Sequence, residues 1–340
     1  MNNGEKFLLG VVTGAAAMLA LTRVARARRS VTFSGRVVVI TGGSRGLGLV
    51  MARQLAAEGA HLCLLARDEA ELAAAREELA GSAGEIMTVS CDIRRRADVR
   101  AAVDTILERW SAIDVLINNA GVIQIGPLEH MTTQDFENAM ATHFWGPLHL
   151  MFESVPSMRR RGFGRIVNIT SIGGRVAVPH LAPYCASKFA LVGLSDAVRT
   201  ELEQYGIRVT TVTPGFMRTG SPVNVDVKGN HEAEYAWFAI SDSLPGLSTS
   251  AENAARQIID ACRHGDSELT ITLPARIAMV ASTAIPRFVA RAMAVANRLL
   301  PAPNGAAGDR RKRGGESTSK WAPSAVTVLT DRAALANNEL

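Results

Sequence analysis

A short β-branched run, Arg36-Val-Val-Val-Ile-Thr41, leads straight into Gly42-Gly-Ser-Arg-Gly-Leu-Gly48 and then into a helical pattern through Glu58. No other stretch limits the fold so tightly. The run reads as a strand, because Val and Ile suit a pleated, buried surface. The glycines permit the sharp turn from strand to helix, and the helix start aims unpaired N–H groups and its positive dipole end at that turn. Strand, glycine turn and helix in this order are the context that a phosphate-binding turn requires. Gly42, Gly46 and Gly48 let backbone approach a pyrophosphate. Ser44, Arg45 and Leu47 belong to the same candidate site.

The pattern then repeats. His61-Leu-Cys-Leu-Leu-Ala reads as a second strand, 68–80 as a helix rich in Ala, Leu and Glu, and Glu85 to Cys91 as a third strand ending at Asp92. A helix to Trp110 and the strand Ile113-Asp-Val-Leu-Ile117 follow. Alternating strands and helices predict an α/β fold, a Rossmann-like doubly wound parallel sheet in a single catalytic domain with terminal appendages. Asn119, Ala120 and Gly121 come at a strand's carboxyl end, where such sheets bind ligands. The second strand ends at Arg67, where an acid would hold a ribose 2′-OH. Arg67 and Arg45 could clamp a 2′-phosphate, which favours NADP over NAD. The plainer alternative makes both ordinary surface arginines, and Asp68 beside them blurs the choice.

Further on, Ser171 ends the apolar strand Arg165-Ile-Val-Asn-Ile-Thr, and Tyr184 and Lys188 stand four apart. Pro183 can open a helix there, which would put both side chains on one face. An ammonium beside a phenol favours the phenolate, so Lys188 is expected to lower the Tyr184 pKa and make it a usable acid or base. Tyr and Lys at helical spacing are common and usually solvated, so the pair carries weight only together with the glycine turn.

Taken in order, Thr41-Gly-x-x-x-Gly-x-Gly, Asn118-Asn-Ala-Gly, Ser171, Tyr184-x-x-x-Lys188 and Pro214-Gly215 resemble the short-chain dehydrogenase/reductase family over about residues 34–272. The resemblance implies that the glycine turn and the Asn-Asn-Ala-Gly segment hold a nicotinamide dinucleotide, that Asp92 borders the adenine, and that Asn119 lines the adenine-ribose side. It implies Ser171, Tyr184 and Lys188 as the reacting group, with Pro214 and Gly215 nearby and Thr219 at the nicotinamide carboxamide. It also implies a homodimer or homotetramer through the 132–161 helix and the Tyr-Lys helix. One position departs: Thr142-His143-Phe144-Trp145-Gly146 carries a His where the family often has an Asn. His143 is either a satisfied structural histidine or a group that passes a proton itself.

Residues 216–247 show little periodicity and carry Phe216, Met217, Tyr235, Trp237, Phe238 and Leu244. They are expected to cover the substrate as a lid. The aromatics either face an apolar substrate or only pack the lid onto the body. Residues 31–273 are thus the catalytic domain, 274–300 an apolar, arginine-bearing helical extension broken at Pro286, and 301–340 a Gly-, Pro- and charge-rich tail expected to be disordered.

At the start, Phe7 to Thr22 is an uncharged apolar run between Lys6 and a basic cluster from Arg23 to Arg29. A spanning helix needs about 20 apolar residues, so residues 1–30 form a borderline membrane-anchor candidate. A peripheral amphipathic segment and a cleaved signal are the alternatives. The positive block after the run would keep the catalytic domain cytoplasmic. The net charge is +5, with much of the excess near the termini, which suits an anionic surface. With no nucleic-acid-binding signature, a membrane is expected and nucleic acid is not. Four scattered cysteines, 63, 91, 185 and 262, read as reduced, buried thiols.

These features predict an NADP(H)-dependent oxidoreductase interconverting a carbonyl and an alcohol on a small substrate that is apolar or lipid-like, with Tyr184 as acid/base and no metal. The alternatives are a non-catalytic NAD(P)-binding sensor, a membrane-tethered scaffold, and a dehydratase or epimerase on the same fold.

Overall fold

The structure is a computed structural model that describes residue 18 and residues 20–340. The first strand is β1 (Val37–Thr41), all five residues of it buried. The glycine turn carries it into α1 (Gly46–Ala57). Then come β2 (His61–Ala66), α2 (Glu69–Glu78), β3 (Ile86–Ser90), α3 (Arg96–Trp110) and β4 (Val115–Asn118). Helices α4 (Thr133–Met140) and α5 (Gly146–Arg161) are joined by a π-helical turn, Ala141–Trp145. The chain continues through β5 (Gly164–Ile169), α6 (Ala182–Glu203) and β6 (Ile207–Pro214). In the region expected to be a lid, α7 (His231–Ser243) forms; α8 (Ala251–His264) and β7 (Glu268–Ile271) complete the domain.

The seven strands make one sheet in the order β7-β6-β5-β4-β1-β2-β3. Every neighbouring pair is parallel. The order reverses between β1 and β4, so the chain's switch point lies at the carboxyl ends of those two strands. Alternate residues of each strand face opposite layers. Val38 and Ile40 pack with Leu49, Leu55 and Ile258 on one side. Val39 packs with Val103, Ile106 and Leu150 on the other.

The expectation for residues 301–340 is corrected. Their composition lacks the apolar content of an independent core, but they fold by long-range pairing with the body. Lys312–Arg313 pairs antiparallel with Asp226–Val227. The Ser243 hydroxyl donates to Thr327 O at 3.1 Å, and α11 (Val328–Ala336) packs beside Gly220. Helices α9 (Leu273–Ala284) and α10 (Pro286–Asn297) form the extension, split by Pro286 as the sequence implies, and α10 buries no residue.

The anchor expected at Phe7 to Thr22 falls largely outside the described residues. No helix among the described residues is long and apolar enough to cross a membrane. The four cysteines are free and buried.

Candidate active site

The glycine turn and the Asn-Asn-Ala-Gly segment hold each other in place. Thr41 Oγ1 accepts the N–H groups of Asn119 and Ala120, both at 2.9 Å. The Asn119 amide donates to the carbonyls of Thr41 at 3.0 Å and Gly42 at 3.2 Å. Gly42 and Gly46 have φ of +62° and +54°, which side chains disfavour. Gly48 has a different reason: a Cβ there would run into the Gly42 carbonyl. It keeps turn and helix in contact and does not itself line the cleft.

A cleft of about 590 Å³ opens over this turn. Gly42, Ser44, Arg45, Gly46, Leu47, Arg67, Asp92, Asn119, Ala120 and Gly121 line it. His143, Tyr184, Lys188 and Thr219 line the same cleft. The sequence candidates thus converge on one cavity, except Gly48, Ser171, Pro214 and Gly215, which stand beside its lining. Two of them already have partners: Arg45 Nη1 is bonded to Glu71 at 2.8 Å, and Asp92 to Arg94.

Helix α6 starts with Pro183 in its first turn and carries Tyr184, Ser187 and Lys188. The Ser171 hydroxyl accepts the Gly173 N–H at 3.0 Å, starting a short 3₁₀ turn, Ile172–Gly174. A Cβ on Gly173 would stand 3.1 Å from the Tyr184 ring, and one on Gly174 2.8 Å from the Lys188 carbonyl. The two glycines therefore let the Ser171 loop lie flat on α6, which sets Ser171 beside Tyr184.

Burial sets the electrostatics. Tyr184 is pushed up to about 12 by burial, against which the neighbouring Ser171 hydroxyl acts. Lys188, whose ammonium donates to Ile169 O at 2.9 Å, is pushed down to about 7 by burial. This corrects the expectation that Lys188 lowers the Tyr184 pKa: Lys188 Nζ lies 5.7 Å from the ring centroid, and desolvation of the phenolate dominates. The geometry therefore keeps Tyr184 protonated at neutral pH, the form that donates a proton.

His143 is bonded through both ring nitrogens. Its Nε2 accepts the Val122 N–H at 3.1 Å, so the other nitrogen carries the hydrogen of the neutral ring and donates to Ser187 Oγ at 2.7 Å. Burial holds its pKa well below 6.5. Its ring meets Tyr184 edge-on at 5.4 Å.

Three acids escaped the sequence reading. Glu71 reaches from α2 to Ser44 Oγ at 2.8 Å and to Arg45. Asp242, on α7, is pushed up to about 8 by burial and bears on Tyr184. Glu339, buried in the cleft, is pushed up to about 7 by burial. No local pattern marks any of them; each arrives through a long-range contact. In the lid, Tyr235 and Phe238 are core residues while Met217 lines the cleft. Most of the lid aromatics thus pack onto the body.

The comparisons agree with this architecture. Residues 36–228 match the family described as short chain dehydrogenase. A zebrafish (Danio rerio) protein named dehydrogenase/reductase SDR family member 7B is 33% identical over 84% of this chain and 93% of its own length. Granaticin polyketide synthase putative ketoacyl reductase 1 of Streptomyces violaceoruber is 38% identical over 54% of this chain and 68% of its own. Among solved structures, L-sorbose reductase of Gluconobacter frateurii, complexed with NADPH and L-sorbose, aligns with TM-score 0.64 and 26% identity over 71% of this chain and 96% of its own. With the family match over residues 36–228 and a relative 33% identical along nearly its whole length, the chain belongs to the short-chain dehydrogenase/reductase family of nicotinamide-dependent oxidoreductases.

Proposed function

We propose that the protein reduces a carbonyl on a small apolar substrate using NADPH. The observation that carries this reading is the half-buried Tyr184, shifted toward its protonated form and set beside Ser171, on a cleft that also takes in the glycine turn. The residues fit a dinucleotide. The turn offers a cradle that any Cβ at Gly42 or Gly46 would strain, and the same cleft carries Thr219 and Lys188. NADPH supplies the hydride when bound. Lys188 stands where it can bind the ribose, and Thr219 where it can hold the carboxamide. Ser171 positions the substrate carbonyl oxygen by hydrogen bonding, and the Tyr184 hydroxyl donates its proton to that oxygen as the alcohol forms. His143 keeps Ser187 and the Val122 backbone in register beneath Tyr184 and transfers no proton.

Preference for NADPH rests on Arg45 and Arg67 at the adenine end and on the NADPH held by the sorbose reductase. An apolar substrate is supported by Val122, Ile123, Met217 and Val225 in the cleft, and an acyl-type ketone by the relative named a ketoacyl reductase. Phe152 on α5 and Phe189 on α6 are exposed, which suits the homodimer or homotetramer that the family resemblance implies. We place the protein at a membrane, through residues 1–30 and the α9–α10 extension, with the catalytic domain on the cytoplasmic side.

NADPH oxidation against a panel of apolar ketones and aldehydes tests the reading. Tyr184→Phe is expected to lose at least about a hundredfold in turnover with NADPH binding retained. Equal turnover in the variant would overturn the assignment of Tyr184.

A further inference from the structure

Residues 337–339 pack on the glycine turn, and Glu339 lines the cleft. The Gly46 N–H, at the start of α1, donates to the Asn337 carbonyl at 2.8 Å. The Asn338 amide donates to Ser44 O at 3.1 Å. Glu339 sets a carboxylate oxygen 3.5 Å from Arg45 Nε, and the Asn224 amide donates to its other contacts at 2.8 Å, one to the carboxylate and one to the Glu339 carbonyl. A Cβ built on Gly46 would strike that carboxylate. The position is thus one where backbone N–H groups and a helix dipole attract an anion, and a carboxylate already stands in it, beside one of the two arginines available for a 2′-phosphate.

The segment is held there from outside the cleft. Arg53, two turns further along α1, donates to Asn337 Oδ1 at 2.9 Å and to Ala336 O at 2.8 Å. The Asn337 amide donates to Thr219 O at 3.3 Å. Upstream, Thr330 Oγ1 accepts the Ser243 hydroxyl at 2.7 Å, which ties α11 to the lid helix α7.

We propose that residues 337–340 are an autoinhibitory strap that occupies the pyrophosphate position and must leave before the dinucleotide can bind. This rests on the cofactor reading above. Carbonyl and carboxylate of the strap use the same donors, Gly46 N–H and the Arg45 guanidinium, that the phosphates require, so the two are mutually exclusive. Apparent affinity for NADPH is then the intrinsic affinity multiplied by the fraction of molecules with the strap undocked. Because α11 contacts α7, undocking also reaches the lid, so cofactor entry and lid position are linked.

The experiment measures NADPH binding by nucleotide fluorescence in three proteins: the full chain, a chain ending at Ala336, and Arg53→Ala in the full chain. Arg53 lies outside the cofactor site, so it loosens the strap without touching the cradle. Both variants are expected to bind NADPH more tightly; a strap docked nine parts in ten would give about a tenfold gain on removal. Amide exchange of residues 328–340 in the full chain is expected to speed up when NADPH is added. Equal affinity in all three proteins, with exchange in 328–340 unchanged by NADPH, overturns the strap. Failure of the shortened chain and of Arg53→Ala to bind any nicotinamide nucleotide, both remaining folded by circular dichroism, overturns the cofactor reading itself.

Discussion

At the residue scale, burial decides protonation more than neighbouring charge does. The Tyr184-Lys188 spacing was legible because a four-residue offset is a property of the helix. The direction of the Tyr184 shift was not, because it depends on how much water the folded chain removes, which no local pattern encodes. His143 shows the same division. Its identity at a departing position was visible, while its tautomer follows from Val122 and Ser187, brought in by the fold. A buried His whose folded pKa lies below its unfolded value of about 6.5 binds fewer protons in the native state, so the stability it supports is complete above that pH and shrinks as the pH falls below it. His143→Gln keeps an acceptor for Val122 and cannot ionise. Denaturant titrations at pH 7.5 and 5.5 are expected to show a smaller acid-induced loss in the variant than in the wild type; equal losses would mean that His143 is not held neutral.

At the element scale, the units that sequence reveals are those that satisfy themselves locally. Each β-branched run became a strand of the sheet. The helices with clear periodicity formed close to their expected limits. What stayed hidden were the π-helical turn at Ala141–Trp145, the lid helix α7 and the fold of 301–340. The first is a one-residue widening that aims His143 inward, a change too small for periodicity to register. The last two are stabilised by contacts with segments far away in sequence, such as Lys312 with Val227. The glycine turn lies between these cases. Its strand–turn–helix context was plain, but the separate duty of Gly48 appears only where α1 meets the Gly42 carbonyl. Gly48→Ala must therefore move α1 away from β1. It is expected to cost about 2 kcal/mol or more in stability and to abolish nucleotide binding, whereas Gly193→Ala, in the open on α6 with nothing near its missing Cβ, is expected to be neutral or slightly stabilising. Thermal melts and NADPH titration of the pair separate a packing role from a general intolerance of alanine.

At the scale of the whole molecule, charge is distributed unevenly. From residue 269 to 308 the chain has four arginines, at 276, 287, 291 and 298, and no acid. Leu273, Ile277 and Val280 on α9, and Phe288 and Val295 on α10, are more than half exposed. Along α10 and the turn that follows it, Arg287, Arg291 and Arg298 fall within a narrow sector at 100° per residue, adjacent to the sector of Phe288, Val295 and Leu299. Apolar side chains bordered by guanidinium groups are the pattern of a helix lying in an anionic membrane interface. The basic cluster before β1 contributes less than its count suggests, since Arg26 is engaged by Asp266 at 2.8 Å and by Asp260. The extension rather than the 23–29 cluster should then give the electrostatic part of binding. Each arginine near such a surface contributes about 1 kcal/mol at moderate salt, so changing Arg287, Arg291 and Arg298 together to Gln is expected to weaken binding to phosphatidylserine-containing vesicles by at least about tenfold. Binding of the parent chain should fall as salt is raised and be much weaker on phosphatidylcholine alone. A chain lacking residues 1–30 is expected to keep this lipid and salt dependence while losing whatever affinity the 7–22 run adds. If the shortened chain ignores anionic lipid, the exposed face of α9 and α10 is not a membrane contact, and its apolar residues serve another partner.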